Sequence, residues 1–258
     1  MGAGDKAANG AATIPNGASA ASVGAQLRPG GQNHRVAPAK FRYVAVDTEF
    51  PGTVYRPAAP AHTLKLEERY RVLRSTVDAL DPIQLGLTLF DVGGHLPSLS
   101  DATTATATRY VWEFNFREFD MWRHRHAPES IVALRAIGVD LDWTRRHGED
   151  AVAVFGPRLR KWARVELGLA GVVTASGGYD LAYLVKLMFG PGFRMPASAA
   201  EFEVVAGVLL HRRSMFDVRE MARLCPTDDL RCSLDSVAEK LNVARAAGQA
   251  HQAGYDSL

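Results

Sequence analysis

The stretch Val-Ala-Val-Asp-Thr-Glu-Phe-Pro-Gly, residues 44–52, begins as an alternating apolar strand and ends in a Pro-Gly turn. Successive side chains of a strand point to opposite faces, so Asp47 and Glu49 are expected on the same face. Two carboxylates on one face can bind a hard divalent cation such as Mg²⁺ or Mn²⁺. An Asp-x-Glu pair at a strand end is also common on protein surfaces, so this interpretation depends on the rest of the chain.

Hydrophobic periodicity predicts three strands first and βα units afterwards. A helix near residues 67–80 separates the first strand from a second over 83–90, and residues 110–116 form a third. A brief buried strand at 172–174 then leads into a helix with an apolar stripe. An antiparallel meander followed by βα units predicts an α/β protein, with a mixed sheet and helices on both faces.

Three further residues extend the carboxylate pattern. Asp180 follows Ala-Ser-Gly-Gly-Tyr at the start of a predicted helix, and His251 and Asp256 lie in His-Gln-Ala-Gly-Tyr-Asp-Ser-Leu. Each has a plainer interpretation, because an Asp at a helix start is often only a cap and a lone His is often a surface residue. Four acids and a histidine together suit metal-dependent phosphodiester cleavage. Asp217 is interpreted as the cap of the helix that follows it, and not as a metal ligand.

The order of these residues resembles that of the DEDD superfamily of 3′-to-5′ exonucleases, in the subgroup with a helper histidine. Longer stretches are similar to the Caf-type poly(A) ribonuclease (deadenylase) subunit of the Ccr-Not complex. They extend from about residue 41 to the last residue and read VAVDTEFPG, YRVLRSTVDALDPIQLGLTLFD, YVWEFNFREFD, HAPESIVALRAIGVD, GYDLAYLVKLM, FDVREMARLC and HQAGYDSL. Long motifs in this order are more specific than any spacing of carboxylates.

This resemblance implies a ribonuclease H-like α/β fold, with a mixed sheet of five to six strands and helices on both faces. The expected ligands of two divalent ions, Mg²⁺ or Mn²⁺, are then Asp47, Glu49, Asp180 and Asp256. Asp47 is the expected bridging ligand. His251 is the residue expected to position or deprotonate the attacking water, a role that suits an imidazole at physiological pH.

The resemblance also implies the substrate and the partners. The expected activity is the shortening of mRNA poly(A) tails with release of AMP, as a subunit of the Ccr-Not complex. The expected partners are single-stranded RNA with a 3′ poly(A) end, a Not-type scaffold and a second deadenylase, in the cytoplasm, including RNA-processing bodies, and in the nucleus. Candidate phosphate contacts are Lys186 and Arg219, and candidate base contacts are Phe50, Tyr55 and Tyr179. Each of these is equally typical of a solvated charge or a core aromatic residue.

Three features depart from the family pattern. Residues 174–177, Thr-Ala-Ser-Gly, stand where family members usually have Phe-His-Ser before the Gly-Tyr-Asp element, and Tyr255 replaces a serine beside Asp256. The sequence stops at Leu258, where the family continues into a long helix. Asp256 is therefore expected on a frayed end, with weak binding of the second metal and slow cleavage.

These departures keep other functions open. A second hypothesis is a weakly active or inactive nuclease-like scaffold that bridges the Not platform and a second deadenylase. The four acids favour catalysis, whereas the end of the sequence at Leu258 and the altered residues 175–178, Ala-Ser-Gly-Gly, favour the scaffold. A third hypothesis, an exonuclease that trims other RNA or DNA 3′ ends, shares the metal chemistry and differs only in its substrate.

Composition divides the chain into two parts. Residues 1–38 are rich in Ala, Gly, Ser, Asn and Pro and are expected to form a disordered tail. Residues 39–258 are expected to form one domain, which the resemblance implies is an exonuclease domain. The 47% hydrophobic content supports a substantial core, and no apolar run is long enough for a membrane span. A formal net charge of +2 neither predicts nor excludes a polyanionic substrate. Cys225 and Cys232 lack metal-type clustering and are expected to stay reduced.

Overall fold

Seven strands form one mixed sheet, with the strand predicted around Asp47 near its centre. The computed structural model describes residues 9–14, 40–57, 59–60, 63–100, 107–163, 169–190, 192–210, 214–226, 230–243, 253 and 257. The strands are β1 (Asn9–Ile14), β2 (Tyr43–Glu49), β3 (Gln84–Phe90), β4 (Ser98–Ser100), β5 (Ala107–Asn115), β6 (Gly171–Thr174) and β7 (Ser214–Asp217). Their order is β1-β5-β3-β2-β6-β7, and β4 also pairs with β5.

Strand directions confirm the predicted meander followed by βα units. Strand β3 pairs antiparallel with both β2 and β5, whereas β6 pairs parallel with both β2 and β7. The parallel half needs helical connections, since a chain cannot return to the same edge through a tight turn. The mixed α/β architecture therefore follows from the pattern of the sequence.

One short strand lies within residues 1–38, at residues 9–14. Strand β1 pairs antiparallel with β5 along its whole length, from Asn9 opposite Phe114 to Ile14 opposite Arg109. Such pairing is made by backbone groups, which an edge strand offers to any extended segment, and it needs no large apolar side chains. Together with the three-residue β4, this strand raises the count from the predicted five or six strands to seven.

Eight α-helices are described, and none of the described helices is long and apolar enough to cross a membrane. They are α1 (Leu66–Ala79), α2 (Pro128–Ala136), α3 (Leu141–His147), α4 (Gly156–Lys161), α5 (Gly178–Phe189), α6 (Ala199–Leu209), α7 (Val218–Leu224) and α8 (Leu234–Lys240). A π-helical turn, Ala151–Phe155, precedes α4.

Several helix ends lie where the sequence predicts them. Pro128 begins α2, and Gly138 follows its end with a φ of 93°, a backbone conformation that glycine adopts without strain. The Ser233 side chain accepts a hydrogen bond from Ser236 N and caps α8. Asp217 caps α7 in the same way, through Arg219 N and Glu220 N. These caps are local in sequence, which is why they could be predicted.

One face of the sheet carries the main hydrophobic core. Val46 of β2 lies opposite Leu87 of β3, and both are almost completely buried. Helix α5 packs over them with Leu184 and Leu187, and Phe155 of the π-helical turn joins the same cluster. The alternation of β2 therefore directs Val44, Val46 and Thr48 towards this core, since successive side chains point to opposite faces.

The last described residues contact the other face of the sheet. Thr88 lies opposite Ala45 and so shares the face of Asp47 and Glu49. Its Oγ1 lies 2.9 Å from Ser257 Oγ, within hydrogen-bond distance. Ser257 N donates to Ala253 O at 3.2 Å, and both residues are buried. Ser257 thus packs on the face that bears the two acids of β2.

Lys186 does not face solvent, contrary to its proposed phosphate contact. The side chain is 13% exposed, and its Nζ donates to Val77 O and Leu80 O, both at 2.8 Å. It also pairs with Asp81 Oδ1 at 3.0 Å. The ammonium group therefore satisfies carbonyls at the C-terminal end of α1, where a cation is favoured by the helix dipole. The phosphate role of Lys186 is wrong because all three of its donors are used inside the fold.

Candidate active site

The carboxyl ends of three parallel strands meet at one edge of the sheet. Strand β2 ends there with Glu49, β6 ends at Thr174 just before α5, and β7 ends at Asp217. In open α/β sheets, ligands bind outside the carboxyl ends of the strands, where the connections reverse direction. This edge is therefore the candidate active site.

Asp47 and Glu49 occupy the face of β2 opposite the main core. They alternate with buried Thr48, and both are only half-buried. Their register partners on β3 are Gly86 and Gln84. Two carboxylates at i and i+2 present only oxygen ligands, which is the donor chemistry of Mg²⁺ and Mn²⁺ sites. The side chains present thus fit the metal that the sequence predicts.

Asp180 reaches the same strand from the first turn of α5. Its Oδ1 accepts hydrogen bonds from Thr48 N at 3.0 Å and from Thr48 Oγ1 at 2.6 Å. The N-cap of α5 is Gly177, so Asp180 does not act as the helix cap. Its carboxylate instead contacts the residue between Asp47 and Glu49, 132 positions earlier in the chain.

Burial shapes the charge of Asp180. The residue is 7% exposed, and burial raises the pKa of its carboxyl to about 6. The two hydrogen bonds from Thr48 oppose this rise because they stabilise the carboxylate, while the nearby charge of Asp217 adds to it. A carboxyl with this pKa changes its charge close to neutral pH. A cation bound nearby would favour the negatively charged form of Asp180.

Asp217 links the turn between β6 and α5 with the turn between β7 and α7. Its Oδ1 caps α7, as predicted, and its Oδ2 accepts a hydrogen bond from Gly177 N at 2.7 Å. A Cβ at Gly177 would lie 1.9 Å from Thr174 Oγ1, so no larger side chain fits there. The departure from the family pattern at residues 174–177 therefore belongs to a closely packed turn.

The remaining two predicted site residues, His251 and Asp256, lie outside the described residues. Their neighbours Ala253 and Ser257 are buried, and Ser257 contacts the face that bears Asp47 and Glu49. Within the described ranges, no three Asp, Glu, His or Cys residues lie close enough together to hold a metal ion. The described part of the site is thus two carboxylates on one face of β2 and a third that contacts the strand between them.

Gln84 is a site residue that the sequence analysis missed. It is 5% exposed and lies in register with Glu49 on one side and Asn115 on the other. Its Nε2 donates to Asn115 Oδ1 at 2.8 Å and to Glu113 Oε1 at 3.2 Å. Its Oε1 is buried and accepts no hydrogen bond from the described chain. The signal was present, since Gln84 and Thr88 are the two polar side chains of β3 and Gln84 lies at its start.

The candidate base contacts separate into two groups. Phe50 stacks on Tyr179 at 4.9 Å and packs against Tyr183 at 5.0 Å, within a second hydrophobic cluster. Phe50 and Tyr179 are therefore mainly core residues. Tyr55 lies instead beneath Arg125, whose guanidinium is 5.0 Å from the ring centroid. Of these three aromatics, Tyr55 has the partner most typical of a nucleic-acid contact.

A groove of about 1140 Å³ opens beside the two βα turns. Its walls include Tyr70 of α1 and Phe202 of α6, and its lining reaches Gly177 and Asp217. Arg219 also lines it and is exposed, while its backbone N–H bonds to Ala175 O and Asp217 Oδ1. The phosphate contact suggested for Arg219 therefore stays a prediction compatible with its position.

The sheet order and the acidic strand end define the class of protein, a ribonuclease H-like nuclease fold. The S. pombe Pop2p structure with Mg²⁺ and Mn²⁺ bound matches with a TM-score of 0.69 and 30% identity, over 84% of this chain and 79% of Pop2p. The yeast CAF1 that was co-crystallised with the NOT1 MIF4G domain matches in fold, with a TM-score of 0.59 and 23% identity, over 85% and 75% of the two chains.

Sequence similarity places the chain more narrowly. The profile of the CAF1 family ribonucleases matches residues 34–139. A probable CCR4-associated factor 1 homolog 10 of Arabidopsis thaliana is 38% identical over 221 residues, which cover 85% of this chain and 74% of the relative. The chain belongs to the CAF1 family of ribonucleases.

Proposed function

We propose that this chain is a metal-dependent 3′-to-5′ exoribonuclease that shortens mRNA poly(A) tails and releases AMP. One observation carries the proposal. Asp47 and Glu49 share a face at the end of the central strand, and Asp180 bonds to Thr48 between them. This arrangement lies in a chain that is 30% identical to a Pop2p that binds Mg²⁺ and Mn²⁺.

The roles of the residues follow from their chemistry. Asp47, Glu49, Asp180 and Asp256 would hold two Mg²⁺ or Mn²⁺ ions, which would supply charge neutralisation at the scissile phosphate and an acidified water. His251 takes a proton from the attacking water, since an imidazole titrates near physiological pH. The buried carboxyl of Asp180 is held in place by Thr48, so its position is fixed before substrate binds.

The proposal extends to partners and location. The co-crystallisation of yeast CAF1 with the NOT1 MIF4G domain supports a Not-type scaffold as partner of this chain within a Ccr-Not complex. A second deadenylase and single-stranded RNA with a 3′ poly(A) end complete the proposed set. The proposed locations are the cytoplasm, including RNA-processing bodies, and the nucleus.

A second candidate function is a nuclease-like scaffold with weak or no activity. The Asp180 carboxylate already accepts two hydrogen bonds from Thr48, which a bound cation would have to compete with. This observation favours the scaffold. It would bridge the Not platform and a second deadenylase without needing the metals.

A cleavage assay separates the two functions. A 5′-labelled RNA with a 3′ oligo(A) tract is incubated with the chain and Mg²⁺ or Mn²⁺, beside the variants Asp47→Ala and Asp142→Ala. Asp142 lies exposed on α3 and serves as the matched surface control. We expect a ladder that pauses at the end of the oligo(A) tract for wild type and for Asp142→Ala, and no ladder for Asp47→Ala.

The other outcomes are equally informative. A folded wild-type chain that gives no ladder with either metal would contradict the exonuclease and favour the scaffold. Equal degradation of deoxyribose and ribose homopolymers would favour the trimming of other 3′ ends. A ladder that survives Asp47→Ala would show that these acids are not the catalytic ones.

A further inference from the structure

A basic and aromatic loop borders the candidate active site. We define the basic loop as residues 121–126, which read Met-Trp-Arg-His-Arg-His. Its four central residues are all exposed, and Trp122 is exposed to 81%. The exposed indole leaves a large aromatic face in solvent, which a planar ligand can cover.

The basic loop is held by its own hydrogen bonds. Trp122 N donates to Asp120 Oδ1 at 2.9 Å, and His124 N donates to Asp120 O at 2.8 Å. Asp120 is buried, and its Oδ2 lies 3.0 Å from Arg145 and 3.6 Å from Arg123. The indole is therefore presented by an ordered turn, and the acid within that turn is already matched by two arginines.

Arg125, three residues after Trp122 in the sequence, lies over the ring of Tyr55. The guanidinium lies 5.0 Å from the Tyr55 ring centroid, and its NH1 donates to Tyr55 Oη at 3.3 Å. Arg125 pairs with no acidic residue in the described part of the chain. A planar guanidinium on an aromatic ring leaves its outer face open for a further planar group, such as a nucleobase.

The basic loop lies beside the turn that follows Glu49. Ala127, directly after the loop, donates its N–H to Pro51 O at 2.8 Å. Pro51 is two residues beyond Glu49, and two residues of chain span about 7 Å at most. Tyr55 belongs to the same turn segment. The basic loop is thus within reach of the nucleotides that precede a 3′ end bound at the candidate active site.

We infer that the basic loop binds the single-stranded RNA upstream of the 3′ end, with bases stacked on Trp122 and on the Arg125–Tyr55 pair. This inference rests on the proposed function. The positive charge of the loop complements a phosphate backbone, and stacking accepts any base because every base has an aromatic face. The loop thus adds affinity and not a preference for adenosine.

The test measures RNA binding apart from cleavage. Fluorescence anisotropy of 5′-labelled oligo(A) is recorded in EDTA for wild type, Trp122→Ala, Trp122→Phe and Arg125→Ala. Arg71→Ala is the matched control, because Arg71 is an exposed cation on α1. We expect Trp122→Ala to weaken binding about tenfold, and Trp122→Phe to retain most of the affinity. Arg125→Ala should weaken binding and reduce the slope of log K against log salt by about 0.7, while Arg71→Ala should change neither.

Each outcome decides the inference. Equal affinities for all variants, or a wild-type chain that does not bind oligo(A), would overturn it and favour a protein partner for this surface. Equal losses in Trp122→Ala and Trp122→Phe would overturn stacking as the cause. Loop-dependent binding by a chain that cleaves no RNA would support the inference and contradict the proposed exonuclease, so the two can fail separately.

Discussion

Thr48 connects the two halves of the candidate site at the scale of single residues. Its N–H and its hydroxyl both donate to Asp180 Oδ1, although the residue itself carries no charge and ligates nothing. Burial outweighs these two hydrogen bonds and raises the pKa of Asp180 to about 6. A pKa that is higher in the folded chain than in the unfolded chain means that ionisation weakens the fold.

Asp180→Asn tests this cost directly. An Asp in the unfolded chain has a pKa near 3.9, whereas the pKa of Asp180 in the folded chain is about 6. The folded chain therefore holds the proton of Asp180 more tightly, and the stability gained from the protonated form is lost as the pH rises from about 4 to about 6. The amide removes the charge and keeps an oxygen that accepts from Thr48. In metal-free buffer we expect the variant to be more stable than wild type by about 3 kcal/mol at about pH 8, and equal to it near pH 4.

Urea unfolding over this pH range measures the difference, with Asp142→Asn as the exposed control. The prediction requires that the free energy of unfolding of Asp180→Asn exceeds that of wild type by an amount that grows with pH. The control Asp142→Asn should show no such increase. A difference that does not change with pH would show that the Asp180 charge is not destabilising.

At the scale of helices and strands, the sequence predicted the features that depend on neighbouring residues. The alternation at Val44 and Val46 predicted β2, and the caps at Asp217 and Ser233 were correctly predicted because a cap acts within three residues. Strand β1 was missed since its pairing uses the backbone. The contacts of Asp180 with Thr48 join residues 132 positions apart, and periodicity carries no information on such pairs.

Lys186 shows the same limit, because its charge suggested a phosphate contact whereas the fold uses it to hold α5 against α1. Replacement by methionine keeps the volume and leaves Val77 O and Leu80 O without their donor. We expect Lys186→Met to lower the free energy of unfolding by about 2–3 kcal/mol, the cost of unsatisfied buried carbonyls.

Chemical denaturation measures this loss, with Lys161→Met as the control at an exposed lysine of α4. RNA binding of the folded Lys186→Met variant should stay at the wild-type level. A variant that keeps full stability but loses RNA affinity would restore the phosphate contact.

At the scale of the whole molecule, the central strand is covered on its two faces by different parts of the chain. Helix α5 packs on the face of Val46, whereas Ser257 contacts the face of Asp47 and Glu49 through Thr88. The candidate ligands therefore come from the beginning, the middle and the end of the domain. A cation that joins them would stabilise the native state as a whole.

Mn²⁺ should accordingly raise the melting temperature. At a metal concentration of about one hundred times the dissociation constant, binding contributes about 2.7 kcal/mol. For a domain of this size that corresponds to about 5–10 °C. Differential scanning fluorimetry with and without Mn²⁺ measures the shift, and it should vanish in Asp47→Ala and persist in Asp142→Ala. An equal shift in all three proteins would mean that the metal binds elsewhere.

The close approach of Gly177 to Thr174 constrains how this chain can change during evolution. A Cβ at position 177 would lie 1.9 Å from Thr174 Oγ1 and would overlap it. A larger residue at 177 therefore requires a change at 174 as well. The two positions are expected to covary among relatives, with a small residue at 174 wherever 177 carries a side chain.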